Sequence, residues 1–188
     1  IIDPAHQSLY ENSIDGLELE TFCLGGADRK SSIFNGIKSF SNLNYDEKIL
    51  IHDAARPFVS VDEIEKTVAA LDDYEAATLA CPVVDTLRRH DTYIDRKDLW
   101  AIQTPQGFHY GTIDQAHKES DSSKNYTDDT SLVSALGKEV KLVQGSRENF
   151  KITTAGDLVL AEKLLLARTQ IRTAVSYTHL TLPTKDSV

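Results

Sequence analysis

One group of chemistry-bearing side chains in the sequence is His52-Asp53-Ala54-Ala55-Arg56-Pro57. It follows Lys48 to His52, a short apolar run that reads as a buried strand. In open α/β sheets, ligands gather outside the carboxyl ends of the strands. An aspartate leaving such a strand can hold Mg2+ through oxygen, which that hard cation prefers, and an arginine three residues on can fork onto a phosphate. An ion pair between Asp53 and Arg56 across the turn accounts for the same residues. A second group, Gly25-Gly26-Ala27-Asp28-Arg29-Lys30-Ser31-Ser32, joins a strand to a helix. Its glycines permit close backbone approach, and a helix start offers unpaired N–H groups to an anion or a nucleobase edge. A plain turn with Ser31 or Ser32 as cap explains it equally well. Lys151, within Asn149-Phe150-Lys151-Ile152-Thr153, lies at a third strand end, and Arg88, Arg89, Arg96 and Lys97 cluster in one polar stretch.

The elements that must position these groups alternate between apolar runs and helical patterns, the signature of an α/β fold with a mainly parallel sheet. Strands are expected at 19–24, 48–52, 76–84, 99–103, 140–143 and 150–152. Helices are expected at about 32–40, from Ser60 onward, and at about 111–119. Ser60 and Glu63 form a capping box. Val61, Ile64, Val68 and Leu71 then place an apolar stripe against the sheet. Residues 85–100, polar and β-prone with a turn signal near Asp91, read as a hairpin projecting from the body. Residues 120–125 read as a solvated loop. Thr127 is the expected N-cap of a helix with Asp128 and Asp129 in its first turn, closed by Gly137. A last helix is capped by Thr154 and Asp157 and buries Leu158, Ala161, Leu164 and Leu165.

Composition removes several classes. The chain has 188 residues and a net charge of −9. That balance argues against nucleic acid, whose phosphates need a basic face, and local positive charge on an acidic chain suits a small anion. No apolar run is long enough to cross a bilayer. Cys23 and Cys81 lack metal-ligand spacing and the density of a disulfide scaffold, which points to the cytoplasm and to cysteines filling core volume. His90, His109 and His117 show no metal spacing and read as surface or packing residues. Methionine is absent, including at position 1, and Ile1-Ile2-Asp3-Pro4 reads as the end of a strand. A fragment whose start lies upstream is therefore expected.

Seven stretches then combine in one order: Gly25-Gly26 through Ser32, His52 through Phe58, Pro82-Val83-Val84-Asp85-Thr86, Asp95-Arg96 with Leu99-Trp100, Gln103-Thr104-Pro105-Gln106-Gly107-Phe108, Thr127-Asp128-Asp129, and Asn149 through Thr153. From about residue 1 to 168 they resemble the 2-C-methyl-D-erythritol 4-phosphate cytidylyltransferase family. The resemblance implies a Rossmann-like nucleotidyltransferase fold, a mainly parallel sheet flanked by helices, and a homodimer formed through a projecting β-arm at about 85–100. It implies attack by a methylerythritol phosphate oxygen on the α-phosphorus of CTP, releasing pyrophosphate, in non-mevalonate isoprenoid precursor biosynthesis. Gly26 and Ser32 match positions that contact cytidine, and Asp53 the carboxylate near ribose and Mg2+; Arg56 belongs to the same motif. Thr86, Arg96, Thr104 and Lys151 match positions that hold the methylerythritol phosphate. Arg96, acting across the dimer, and Lys151 orient it for attack.

The chain departs from the pattern at Ala27, where some members carry an acid. The family's Gly-rich loop, with its triphosphate-binding Arg and Lys, is not among these residues, so the fragment is expected to be inactive or nearly so. Gln170-Ile171-Arg172-Thr173 resembles the junction to a fused cyclodiphosphate synthase. Residues 169–188 are read as that junction remnant plus an adapter-derived tail in which His179 has no role. Two rivals remain: a cytidylyltransferase acting on ribitol 5-phosphate or a similar polyol phosphate, and a non-catalytic nucleotide-binding module. Ala54-Ala55 and Thr127-Asp128-Asp129 favour methylerythritol phosphate.

Overall fold

The computed structural model describes all residues except 15, 18, 20, 21, 41, 122, 123, 125 and 179–188. It divides into two compact units, Ile1–Asn149 and Phe150–Val188. In the first unit the elements run α1 (Gln7–Ser13), α2 (Arg29–Ser39), β1 (Lys48–Ile51), α3 (Val61–Ala70), β2 (Ala76–Pro82), β3 (Leu87–Arg89), β4 (Thr92–Ile94), β5 (Trp100–His109), α4 (Tyr110–Glu119), α5 (Asp129–Ala135) and β6 (Val140–Gln144). The main sheet has the order β1-β5-β2-β6. Strands β1, β2 and β6 share one direction, whereas β5 runs against both of its neighbours. β3 and β4 form the expected hairpin as a separate two-stranded sheet.

Side-chain alternation along β5 assigns helices to faces. A Cβ on Gly107 would meet Leu50, Leu71 and Thr67 at 3.1–3.2 Å, so α3 packs closely against that face. Phe108 points the other way, into a core of Ile33, Ile37, Ala76, Ile113, Ala116, Leu132 and Val133 drawn from α2, β2, α4 and α5. Burying a phenylalanine completely contributes about 2–3 kcal/mol, and Phe108 is fully buried at the centre of this cluster. Strand β2 is buried along Ala76–Cys81, the burial expected of an interior strand covered on both faces.

Several expectations require correction. Of the apolar stripe expected on α3, Leu71 is buried and Ile64 and Val68 are half-buried, but Val61 is 68% exposed, and the helix also buries Glu63 and Thr67. α2 begins at Arg29 because Asp28, not a serine, is its N-cap, with Ser31 closing the box. Likewise Asp128, not Thr127, caps α5, since its carboxylate accepts from the Ser131 N–H at 2.8 Å. The strand expected at 99–103 continues to His109 through a cis Thr104–Pro105 bond. At 19–24, the described residues show only a parallel bridge between Ile2 and Leu24, the rest of that segment lying partly outside the described residues. The loop expected at 120–125 also falls partly outside them.

The second unit holds α6 (Ala155–Thr178), and 150–152 are not in a strand. Thr154 and Asp157 cap this helix reciprocally, as the sequence implies. Ala161 is buried, but Leu158 and Leu165 are exposed. Leu158-Val159-Leu160 and Leu164-Leu165-Leu166 are runs of three apolar residues, and at 100° per residue no single face can take them all. The helix passes Thr169 without interruption and runs to Thr178, because no glycine or proline stands in that stretch to stop it.

Candidate functional site

The loop after β1, the loop after β6 and the entry of β5 meet at one sheet edge, because β1 and β6 end where the reversed β5 begins. There a ring of hydrogen bonds closes through the His52–Arg56 turn. The Asp53 N–H donates to Thr104 Oγ1 at 2.9 Å, and that hydroxyl also lies 2.9 Å from His52 Nδ1. His52 Nε2 is 3.0 Å from the Arg56 carbonyl. The Arg56 guanidinium donates through Nη1 to the Asn149 carbonyl at 2.8 Å, and the Asn149 amide donates to the Thr104 carbonyl at 2.8 Å. The ring thus brings Asp53 and Arg56, which share one turn, together with Thr104, about fifty positions further along the sequence.

The Asp53–Arg56 pairing also exists, at 3.7 Å between Oδ2 and Nε, beyond hydrogen-bond length. Nε itself is buried without a hydrogen-bond partner, as is Asn149 Oδ1. Burial pulls the Arg56 guanidinium down from its ordinary pKa, with Asp53 opposing. Arginine remains cationic under such a shift. The turn therefore presents a fixed positive charge only partly neutralised by its neighbour.

A second cluster forms at the start of α2. The Gly26 N–H donates to Ser32 Oγ at 2.9 Å, and Ser32 Oγ donates to the Asp28 carbonyl at 2.7 Å. A Cβ on Gly26 would fall 2.4 Å from Ser31 Oγ, so this turn is specific for glycine. The Asp28 carboxyl is lowered from its ordinary pKa, chiefly by the Ser31 N–H. Arg29, the first residue of the helix, donates to Asp129 Oδ2 at 2.7 Å. Asp129 Oδ1 also lies 3.3 Å from His117 Nε2, an electrostatic contact without hydrogen-bond alignment. His117, fully buried, stacks on Phe34 of α2 at 5.4 Å between ring centres. Asp129 and His117 thus hold α2 at two points.

Thr86 and Arg96 stand exposed on the arm, where the Arg96 guanidinium donates to the Val84 carbonyl at the arm's root. Lys151 is exposed and belongs to the second unit, in the segment leading into α6. Sequence reasoning missed Asn149 as the closing member of the ring, and also the Asp129–Arg29–His117 group. Asn149 lies two residues before Lys151 in the same motif, and the position of Asp129 in a first helical turn explains its charge by the helix dipole alone. Among the described residues, no cluster of three or more His, Cys, Asp or Glu could cage a metal ion. Asp53 suits a cation that keeps most of its waters and shares the rest of its shell with phosphates, as Mg2+ does.

A mixed sheet carrying a glycine turn at one helix start and an Asp/Arg turn at the strand ends defines an α/β fold of the nucleotidyltransferase type. The crystal structure of the 4-diphosphocytidyl-2C-methyl-D-erythritol synthase of Anaerococcus prevotii superimposes with a TM-score of 0.78 at 28% identity, covering 88% of this chain and 80% of that one. The family model described as 2-C-methyl-D-erythritol 4-phosphate cytidylyltransferase matches residues 6–167, and the chain belongs to that family. The Geobacillus kaustophilus protein of that name is 38% identical over 89% of this chain and 76% of its own length. A bifunctional IspD/IspF enzyme of Paramagnetospirillum magneticum is 39% identical over the whole of this chain, which spans 50% of that protein.

Proposed function

We propose that the site in this chain serves cytidylyl transfer from CTP to 2-C-methyl-D-erythritol 4-phosphate, a reaction to which the family's Gly-rich triphosphate loop also contributes. A phosphate oxygen of the polyol phosphate attacks the α-phosphorus of CTP, the new P–O bond forms, and the bond to the β-phosphate oxygen breaks to release pyrophosphate. The observation that carries this reading is the ring that fixes Asp53, Arg56 and Thr104 at one sheet edge, in a chain whose family has this activity. Phosphoryl chemistry of this kind needs positioning and charge neutralisation more than covalent help. Arg56 supplies a half-buried cation to a phosphate, and the Thr104 hydroxyl sets the Asp53 backbone. Gly26 and Ser32 form the turn that receives the cytosine edge. Asp53 would hold Mg2+, which when bound neutralises phosphate charge.

The β-arm would pair two copies of the chain, so that Arg96 serves the neighbour's polyol phosphate together with Thr86 and with Lys151 of that neighbour. Support comes from the arm's separate sheet, from the exposed Tyr93 at its tip and from its four basic residues. Residues 1–168 would form the transferase domain, a boundary supported by the family match ending at 167. The two free cysteines are consistent with action in the cytoplasm.

Calorimetry with CTP and methylerythritol phosphate tests the reading. Binding of CTP in preference to ATP is expected, and Arg56→Ala should weaken the polyol phosphate roughly 10- to 100-fold, the loss of one hydrogen-bonded charge contact. Equal affinity for ATP and CTP refutes it. Tighter binding of ribitol 5-phosphate than of methylerythritol phosphate transfers the assignment to another polyol phosphate.

A further inference from the structure

Glu63 is spaced as the third residue of a capping box, and one carboxylate oxygen does that work. Its Oε2 accepts from the Ser60 N–H at 2.8 Å and from Ser60 Oγ at 2.9 Å, while the Glu63 N–H donates back to Ser60 Oγ at 3.2 Å. A capping glutamate can do all of this in water. Glu63 is instead only 5% exposed, and burying a carboxylate is costly unless its oxygens are satisfied. The other oxygen, Oε1, accepts from the Ser146 N–H at 2.6 Å, across 83 positions of sequence. Helix capping gives no reason for that bond.

Its consequence lies in the loop after β6. The Ser146 peptide is gripped from both sides, its N–H by Glu63 and its carbonyl by Gln103 Nε2 at 3.0 Å. The Ser146 carbonyl also accepts from the Asn149 N–H at 3.2 Å, which sets the turn. A Cβ on Gly145 would fall 2.6 Å from Gln103 Oε1 and 3.5 Å from Glu63 Oε1, so only glycine lets the loop come this close. The turn ends at Asn149, whose carbonyl receives Arg56 and whose amide holds Thr104. We infer that Glu63 is a positioning residue for the phosphate-binding ring: by holding the Ser146 N–H, it fixes the loop from which Asn149 places Arg56 and Thr104. This deepens the cytidylyltransferase reading and rests on it.

The test separates the two oxygens. Ser60→Ala weakens the cap but leaves the Ser146 N–H bonded to Oε1. Glu63→Ala removes both acceptor oxygens, so it loses the cap and the Ser146 bond together. Glu63→Asp keeps the charge but is one methylene too short to span from Ser60 to Ser146, and it serves if the alanine variant does not fold. Melting temperature, amide hydrogen exchange over 145–149 and the dissociation constant for methylerythritol phosphate are measured in the full chain. All variants should melt lower. Only the Glu63 variants should speed exchange at 145–149 and weaken the polyol phosphate at least ten-fold, with Ser60→Ala within two-fold of the parent. Equal weakening by Ser60→Ala and the Glu63 variants, or unchanged exchange at 145–149 in the Glu63 variants, overturns the inference. A parent chain that binds neither substrate overturns the cytidylyltransferase reading instead, while the exchange contrast still decides what Glu63 holds.

Discussion

Arg29 and Asp129 form an unequal pair, and the inequality predicts which substitution costs more. The Asp129 side chain is 1% exposed and that of Arg29 is 44% exposed. Arg29→Ala removes the cation hydrogen-bonded to a carboxylate that water does not reach. Stranding a buried charge in this way costs about 3–5 kcal/mol, and water entering the vacated space brings the expectation to the low end, about 3 kcal/mol. Asp129→Ala is gentler. The freed guanidinium swings into solvent, so the loss is about one charged hydrogen bond offset by the relieved burial of the carboxylate, about 1–2 kcal/mol.

The double variant has neither the stranded carboxylate nor the pair. It should therefore melt higher than Arg29→Ala alone, although Asp129→Ala lowers stability in the parent. For a chain of this length each kcal/mol is about 2–4 °C, so the reversal is readable by calorimetry. A double variant that melts below Arg29→Ala refutes the argument, because the Asp129 carboxylate would then be stabilising the fold through some other partner.

Two further outcomes follow from local chemistry. The N–H groups of Thr153 and Thr154 hold the Asp157 carboxyl at about 2, against 3.8 for a free aspartate. A depressed carboxylate stabilises the fold above its unfolded value and loses that contribution as pH falls through its folded value, so the start of α6 should fray between about pH 4 and pH 2. NMR shifts of the Thr153 and Thr154 amides should titrate in that window and be flat in Asp157→Asn; a flat parent profile refutes the assignment. Burial pushes the Cys81 thiol up, and its Sγ donates to the Gly145 carbonyl at 3.1 Å. With a thiol reagent at pH 8, Cys23 should react at least ten-fold faster than Cys81, and denaturant should abolish the difference; faster labelling of Cys81 in the native chain contradicts a closed 145–149 loop.

Local signals made much of the fold legible. The Ser60/Glu63 and Thr154/Asp157 boxes, the hairpin around Asp91 and the left-handed cap at Gly137 each depend on residues a few positions apart. What failed depended on distance. Nothing near Val61 shows that it faces solvent while Glu63 faces the sheet, because the reason is Ser146. The apolar runs in α6 suit more than one buried face, and periodicity alone cannot choose among them. In the site, Asp53 and Arg56 could be picked out because they share a turn. Asn149 could not, because its role is to bond a carbonyl at Thr104 and a guanidinium at Arg56, and the short spacing that makes motifs visible is absent from both bonds.

The reversed direction of β5 explains how the two clusters become registered. A purely parallel neighbour of β2 would need a crossover of a dozen or more residues. Here the chain leaves β2 at Pro82, builds the arm and returns directly alongside as Trp100, antiparallel. That return brings the first half of β5 to the edge where β1 ends. Thr104 then meets Asp53, and two residues on Gln106 Nε2 donates to Asp128 Oδ2 at 2.9 Å. Asp128 caps α5, whose first residue, Asp129, holds Arg29 at the start of α2. A chain of direct bonds therefore runs from the glycine turn of Gly26 through Arg29, Asp129, Asp128, Gln106 and Thr104 to Asp53. One strand sets the distance between the Gly26 turn and the ring around Arg56, and a change at Gln106 would loosen that register without altering a residue of either cluster.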